Sequence, residues 1–481
     1  MQLRTIIALG ACLASVAAWA QEAPAANIDD LFDAPAETTA TEARTIDNPE
    51  AVVLESKGLV WGGELGADAT MEIPYGALPP ATLSDWGKAE DRAGFDLGAT
   101  LFFDARPDRN YRVYGSFRTA YPFASGLGSV VELFADFNWR EALFIRFGKQ
   151  TMGWGLSRFY QVADPLSVGV KDPQDPTKEL EGPVGLKLSL PLGPHTLYAY
   201  AVAKDSYLKD SAIAWGATSP SLPGIEDLGY GLKGDFLLSL PKNPILSDAE
   251  LNAGLYYQRR LAPKAVFGLS TGVGQVQLFS DQVLSLGRDG YRLDPGLEGI
   301  PTPAGTMLVH GASADDTTLY YSATAGAMYV NKDLHLTVYG EYFYNGAGSD
   351  DPGYTKELGE RYAAELIRDD GGPRRVAQSD LFAYNGRHNT GFSASLSELF
   401  GSDKLSFGLF WQSNWSDRSG MVVPTLAYAP WKRLSLSLGS RFVYGADQSE
   451  FVLKNSSFSG GQATAVRFAP FVKLYLGAGK F

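Results

Sequence analysis

The sequence predicts an all-β fold, a transmembrane antiparallel β-barrel of about 18 strands, with about 16 as the alternative count. The first observation is a two-residue alternation of apolar with small or polar side chains. In residues 93–103 the apolar positions are Phe95, Leu97, Leu101 and Phe103, all on one strand face. The second is that this pattern recurs in segments of about ten residues, enough for a tilted strand to cross a bilayer. The third is that no apolar run is long enough to cross as a helix.

The N-terminal residues predict export from the cytoplasm. Arg4 precedes an apolar stretch at 6–16, and Ala18-Trp19-Ala20 forms a small-x-small cleavage site. Residues 1–20 are therefore predicted to be a secretory signal peptide rather than a buried helix. A lipoprotein-type site at Leu9-Gly10-Ala11-Cys12 is the alternative, so lipidation of the cysteine stays open.

The next segment, 21–56, is rich in alanine, threonine, proline and acidic residues and has few aromatics. It predicts a disordered periplasmic leader, too short to form a plug domain, and leaves 57–481 for the barrel. An energy-coupled transporter is therefore not expected.

Composition excludes several function classes. Cys12 is the only cysteine, so a chain cleaved after Ala20 has no disulfide and no thiolate metal site. Cleavage would remove one arginine and no acid, which takes the net charge from −13 to −14. This acidity argues against nucleic acid as a partner. No metal-binding cluster is evident, and no cofactor is predicted.

The candidate strands follow the two-residue alternation along the chain. They lie near 57–70, 93–103, 109–120, 129–138, 141–149, 183–191, 195–203, 227–239, 249–260, 264–271, 273–284, 317–330, 333–344, 388–400, 404–414, 417–428, 432–444 and 464–478.

The links between these strands alternate in length, as outer-membrane barrels require with short periplasmic turns and long outer loops. Links after odd-numbered strands are long at 71–92, 150–182, 204–226, 285–316, 345–387 and 445–463. Links after even-numbered strands are short at 106–108, 138–140, 331–332, 401–403 and 429–431. A wrong strand count would destroy this alternation of long and short links. The count is least certain at 261–273, where two strands could be one bent strand, and at the short outer link 415–416.

Tryptophans support the same orientation. Trp139 and Trp431 lie at short turns, and Trp61 and Trp411 lie at strand positions that are predicted to face lipid. Aromatic girdles at the two bilayer interfaces are typical of such barrels.

Positions that alternate with the apolar residues are predicted to line the interior. Charged rows along a pore set its ion and solute selectivity, and 18 strands enclose more volume than side chains fill. The alternative is that these charges only pair with one another; the bases of the last two strands are expected beside the acids of the first. The predicted pore-lining bases are Arg112, Arg118, Arg146, Lys187, Lys233, Arg260, Arg441, Arg467 and Lys473, and the acids are Glu64, Asp68, Asp96, Glu132, Asp136, Asp235 and Glu341.

The run Arg146-Phe147-Gly148-Lys149-Gln150-Thr151-Met152-Gly153-Trp154-Gly155 leaves the fifth strand and continues to Tyr160 and Asp164-Pro165-Leu166-Ser167. Its glycines allow sharp bends, Gln150 falls on the inner face, and Trp154 and Tyr160 offer flat surfaces of the kind that stack on sugar rings. We predict a constriction loop that folds into the pore, formed by Gln150, Trp154, Tyr160 and Asp164. A structured surface loop is the alternative.

This run and the following Asp-Pro-Leu-Ser resemble a segment of large Gram-negative outer-membrane porin-like proteins, including alginate-export-type barrels. The match covers about twenty residues; elsewhere it rests on strand pattern alone. The resemblance implies a monomeric or weakly oligomeric barrel that passes polar solutes. It also implies that the terminal Phe481 is read by the outer-membrane assembly machinery, although Gly477 and Gly479 occupy positions where apolar residues are usual.

Three functions from different classes are consistent with these observations. The first is a passive outer-membrane channel for small polar solutes or saccharides, with lipid, the assembly machinery and the solutes as partners. The second is a surface adhesin or scaffold that acts through its long loops. The third is an outer-membrane hydrolase, for which His335 is the candidate base, with no serine or acid clearly arranged around it. The solute, its direction of travel, the ion selectivity and the oligomeric state stay open.

One outer link has its own predicted structure. Tyr354, Leu358, Tyr362 and Leu366 recur every four residues and predict a short amphipathic helix. The helix is predicted to end at Gly371-Gly372-Pro373.

Overall fold

A computed structural model describes residues 58–76, 92–121, 128–167, 182–203, 225–238, 246–259, 261–288, 292–302, 305–313, 317–352, 366–369, 372–375, 386–431, 433–447, 449–455, 457–459 and 462–480. The predicted signal peptide, the predicted leader, Cys12, Arg260 and Phe481 lie outside these residues.

Eighteen strands form one antiparallel sheet, and each strand pairs with the next strand along the wall. The strands are β1 Gly58–Glu72, β2 Arg92–Asp108, β3 Tyr111–Tyr121, β4 Ser129–Trp139, β5 Leu143–Lys149, β6 Val184–Leu192, β7 His195–Ala203, β8 Gly229–Leu238, β9 Leu246–Tyr257, β10 Lys264–Val273, β11 Val276–Leu286, β12 Leu319–Asn331, β13 Leu336–Tyr344, β14 His388–Leu396, β15 Leu405–Asn414, β16 Ser419–Trp431, β17 Leu434–Tyr444 and β18 Phe468–Lys480.

The first and last strands close the sheet into a barrel. Thr70 of β1 pairs with Lys473 of β18, and Glu72 pairs with Phe471, in the same antiparallel sense as every other neighbour. The predicted all-β barrel of 18 strands is therefore confirmed, and the 16-strand alternative is not observed. The uncertain segment 261–273 resolves into a short link and the separate strand β10.

The predicted parity of the links is also observed. Links at 109–110, 140–142, 193–194 and 274–275 follow even-numbered strands and define the short-turn end of the barrel. The links at 73–91, 150–183, 204–228, 287–318, 345–387 and 445–467 follow odd-numbered strands and define the long-loop end.

The outward face of the wall is apolar, with aromatic side chains concentrated at the two ends. Outward leucines such as Leu232 and Leu255 are about 60% exposed, because no described residue covers them. This is the inverse of a soluble protein and is the pattern that a lipid-facing surface requires. Exposed aromatics at the short-turn end are Trp61, Tyr111, Phe137, Trp139, Tyr428 and Trp431, and those at the long-loop end are Tyr121, Tyr230, Tyr257, Tyr321, Tyr342 and Trp415.

The long loops carry structure that the alternation did not predict. The strands Arg292–Thr302 and Gly305–Ser313 pair with each other, and the second also pairs in parallel with Leu366–Asp369. That strand in turn pairs with Gly372–Arg375. The predicted helix is thus wrong at Leu366, where cross-strand pairing outweighs the four-residue periodicity; its residues 353–365 lie outside the described part of the chain.

A short helix, Glu450–Lys454, lies over the ends of β16 and β17. The fully buried Glu450 carboxylate accepts hydrogen bonds from the Gly386 amide and the Asn414 side chain. These bonds tie two outer links to the end of β15. Among the described residues, no helix is both long and apolar enough to span a bilayer.

Candidate functional site

The predicted basic residues of β3 to β6 lie on one face of the wall. Arg112 pairs in register with Asp136, Asp136 with Arg146, and Arg146 with Lys187. Residues that are directly opposite in a sheet share a face. This face is the inner one, since the alternate position Phe147 is 62% exposed on the outside.

The other predicted inward charges occupy two further stretches of wall. Lys233 and Asp235 lie on β8, and the Lys233 amine lies above the Tyr198 ring, as does that of Lys187. The seam between β18 and β1 carries Glu64, Asp68 and Lys473, and Asp96 of β2 and Arg441 of β17 lie on the adjacent strands. Arg118 lies on β3, Glu132 lies on β4 opposite Ser116, and Arg467 lies in the link directly before β18.

Many of these charges pair with a neighbour on the next strand. Arg146 Nε is 2.6 Å from Asp136 Oδ1. Arg112 lies between two acids, 2.8 Å from Asp104 and 3.5 Å from Asp136. Basic and acidic side chains therefore alternate from strand to strand along this part of the wall. The inner face carries charges of both signs.

The seam shows the same pairing. Arg441 pairs with Glu72, and the Lys473 amine lies 3.8 Å from Asp68. The bases of the last two strands thus lie beside the acids of the first. Asp104 and Glu72 were not among the predicted residues, because each lies beyond the predicted end of its strand.

The described first part of the link after β5 folds into the barrel. We call residues 150–167 the inward loop. The Asp281 carboxylate on β11 receives the loop at one point: its Oδ2 accepts hydrogen bonds from the Leu156 amide at 2.7 Å and from the Ser157 amide at 2.8 Å. The Ser157 hydroxyl donates to the same oxygen at 2.7 Å and also contacts the Thr324 hydroxyl.

A second wall carboxylate, Glu341 on β13, holds the next three residues of the inward loop. Its Oε2 accepts from the Arg158 amide at 2.9 Å and the Phe159 amide at 3.2 Å, and its Oε1 accepts from the Tyr160 amide at 2.9 Å. The Tyr339 hydroxyl donates to the same carboxylate at 2.6 Å. Glu341 is only 2% exposed, so it binds the loop rather than facing open solvent as the sequence predicted.

Apolar contacts complete the attachment of the inward loop. Trp154 packs edge-on against Tyr200 and Tyr256, in space left by two wall glycines. A Cβ atom at Gly231 or Gly254 would lie about 3 Å from the tryptophan ring. Further along, Tyr160 stacks on Phe343, and Phe159 packs edge-on against Tyr339 and Phe410.

These contacts correct the roles predicted for individual loop residues. Trp154 and Tyr160 are buried between loop and wall, so neither ring has an open face for a sugar. Gln150 is fully buried and donates from Nε2 to the Gly185 carbonyl, and Glu132 accepts from the Thr151 amide. Asp164 accepts from the Leu166 and Ser167 amides and so stabilises the turn that ends the loop.

Asp281 is the loop-binding residue that sequence analysis missed. On β11 the inward positions include the apolar Phe279 and Val283, while Ser280 and Gln282 face outward. The inward loop covers this part of the wall, which makes apolar inward side chains favourable and inverts the local polarity pattern. No local signal marked the aspartate, because its partners lie 124 and 125 residues away in sequence.

His335, the candidate base of the hydrolase hypothesis, lies in the short turn between β12 and β13. Its Nε2 is 3.2 Å from the Glu398 carboxylate of the neighbouring turn, and both side chains are well exposed. His335 therefore lies at the rim of the barrel and not on a strand.

No protein-family model matches the chain, and no curated protein matches it. Among solved structures, it is similar to Acinetobacter baumannii OccAB4, with a TM-score of 0.48 and 9% identity over 90% of this chain and 100% of that chain. It is also similar to OccAB1 of the same species, with a TM-score of 0.47 and 11% identity over 89% and 99%. For Pseudomonas putida OprB the values are 0.42 and 9% over 92% and 97%. The strand pairing and the closure of the sheet confirm that the fold is the barrel that the resemblance implied.

Proposed function

We propose that the protein is a passive channel for small polar solutes or saccharides in the outer membrane of a Gram-negative bacterium. The observation that carries the proposal is the closed 18-stranded wall with an apolar outside and a charged inside. Barrels of about 16–18 strands enclose an aqueous lumen, since side chains cannot fill that volume. Lipid and the assembly machinery are its proposed membrane partners, and catalysis is not part of the proposal.

The inward charges are proposed to line the pathway of the solute, and the inward loop is proposed to narrow it. Five backbone amides of the loop bind the Asp281 and Glu341 carboxylates, which supports a fixed obstruction rather than a mobile flap. Solute selectivity would then come from the charged part of the wall that the loop leaves uncovered and from the charges beside the loop. Arg112, Arg146, Lys187 and Lys233 are the proposed positive part of that wall.

Planar-bilayer recording of the purified, folded protein tests the channel. We expect discrete steps of current at constant voltage, with the open state dominant, because the inward loop is held by the wall. Complete absence of conductance from protein shown to be folded would reject the proposal. Liposome swelling with neutral, anionic and cationic solutes of graded size would then define the solute class.

Replacing two inward lysines should change the ion selectivity. In the double variant Lys187→Gln and Lys233→Gln, two positive charges leave the lumen, so the reversal potential in a salt gradient should shift towards cation selectivity. The matched control replaces Lys404 and Lys332, two lysines of the short turns, and should leave the reversal potential unchanged. Equal shifts in both double variants would show that these inward lysines do not set the selectivity.

A further inference from the structure

The short turns β2–β3 and β4–β5 form a groove at the rim of the barrel. Its volume is about 530 Å3, and Arg109, Asn110, Phe137, Asn138, Trp139, Arg140 and Glu141 line it. Nothing in the pore proposal uses this groove, because Phe137 and Trp139 open it towards the outward, apolar face.

Two arginines make the groove net positive in a chain whose net charge is negative. The lining residues carry two positive charges and one negative charge, in a chain of net charge −13. Among the described acids, none forms an ion pair with Arg109 or Arg140. Both side chains are exposed, so their guanidinium groups are available to an added anion. A guanidinium binds phosphate oxygens in a bidentate manner, which suits two arginines to one phosphate group.

The aromatic residues place that charge at the level of a bilayer interface. Trp139 is 52% exposed in the aromatic girdle of the short-turn end, and the Arg140 guanidinium lies 5.3 Å from its ring centroid. Tryptophan in such belts lies at the depth of lipid headgroups. The arginine charge is thus held against the ring that marks this depth.

Asn138 stabilises the turn that carries Arg140. Its buried side-chain oxygen accepts a hydrogen bond from the Glu141 amide. Arg140 and Glu141 both have positive φ, near 56° and 57°, which is a strained backbone for residues other than glycine. The strained turn projects Arg140 over Trp139 at the edge of the groove.

We propose that this groove binds the phosphate headgroup of an anionic glycerophospholipid in the leaflet at the short-turn end. The inference rests on the proposed membrane location but not on channel activity. Trp139 and Phe137 would contact the glycerol and upper acyl region, and Arg109 and Arg140 would bind the phosphate oxygens. A lipid is favoured over a free anion because the two apolar lining residues, Phe137 and Trp139, face outward beside the arginines.

Native mass spectrometry of the full chain in neutral detergent, with added phosphatidylglycerol, tests the proposal. The double variant Arg109→Gln and Arg140→Gln should weaken lipid binding roughly thirtyfold, as expected for two arginines at an anionic headgroup. The matched control Lys332→Gln and Lys404→Gln removes two charges from other short turns and should bind as the wild type does. Phosphatidylcholine with the same acyl chains should bind the wild type much more weakly.

Inorganic phosphate distinguishes the two sources of the anion. An excess of inorganic phosphate over the lipid should leave the phosphatidylglycerol complex intact. If phosphate displaces the lipid at a concentration similar to that of the lipid, the assignment changes from a lipid to a free anion.

Equal lipid binding by the wild type and by the glutamine double variant would overturn the site itself. If that variant does not fold, the pair Arg109→Lys and Arg140→Lys keeps the charge but loses the bidentate geometry, and undiminished binding there would contradict the proposal equally. Unchanged channel currents in the arginine variants would separate this result from the proposed transport.

Discussion

Replacing Glu341 by alanine should release the inward loop and raise the single-channel conductance severalfold. The carboxylate accepts from three consecutive loop amides and from the Tyr339 hydroxyl. The Phe159 and Tyr160 amides have this carboxylate as their wall acceptor, and the Arg158 amide shares it with the Tyr339 hydroxyl at 3.0 Å. Each donor that stays buried without a partner costs about 1–3 kcal/mol. The chain avoids this cost by moving the loop into solvent, which widens the lumen.

The matched control for this variant is Glu64→Gln, because Glu64 is an inward acid on β1 that contacts no residue of the inward loop. It removes the same charge, so any purely electrostatic change of conductance should occur in both variants. The expected increase belongs to Glu341→Ala alone and should be accompanied by greater protease sensitivity within residues 150–167. Identical conductance in the two variants would mean that the loop does not restrict the pore.

The barrel could be predicted from the sequence because its determinants are local. The alternation in residues 93–103 specifies both a strand and its lipid-facing side without reference to any other segment. The lengths of the links then give the direction of each strand. For the same reason the faces of Arg112, Arg146 and Lys187 followed from their own strands, and the register places them side by side.

The attachment of the inward loop could not be predicted in this way, because it depends on contacts between distant segments. Asp281 and Glu341 bind a loop more than one hundred residues earlier, and nothing in their own strands distinguishes an anchoring carboxylate from a solvated one. The same holds for Trp154. Its sequence context suggests an exposed aromatic ring, but the pocket that buries it comes from β7 to β9.

The strands formed by the long loops illustrate a second limit of prediction from sequence. Residues 292–302 and 305–313 lie in a predicted irregular link, yet they form a hairpin that also pairs with Leu366–Asp369 of another link. Strand pairing between loops needs a barrel that brings the loops together first. Sequence periodicity therefore fails in the part of the chain whose structure depends on the assembled wall.

Replacing Gly148 by alanine should make the folded barrel clearly less stable than the wild type. Gly148 is the last residue but one of β5, has a φ of 131° and lies opposite Phe134 of β4. A Cβ atom there would overlap the Leu133 carbonyl oxygen and lie 2.7 Å from the Phe134 Cα, and backbone atoms cannot rotate away as a side chain can. The backbone conformation alone costs about 1–3 kcal/mol for a residue with a Cβ, and the overlap forces β4 and β5 apart where the inward loop begins.

Gly153 provides the control within the same run of residues. It has no positive φ, and a Cβ atom there would meet nothing within 4 Å, so the bend that its glycine suggested is not required. Gly153→Ala should therefore fold as the wild type does. Gly148→Ala should unfold at a clearly lower urea concentration, measured by the mobility shift of folded barrel on unheated gels. Because the two glycines lie five positions apart in one motif, equal stability of both variants would contradict the described path of the chain into the barrel.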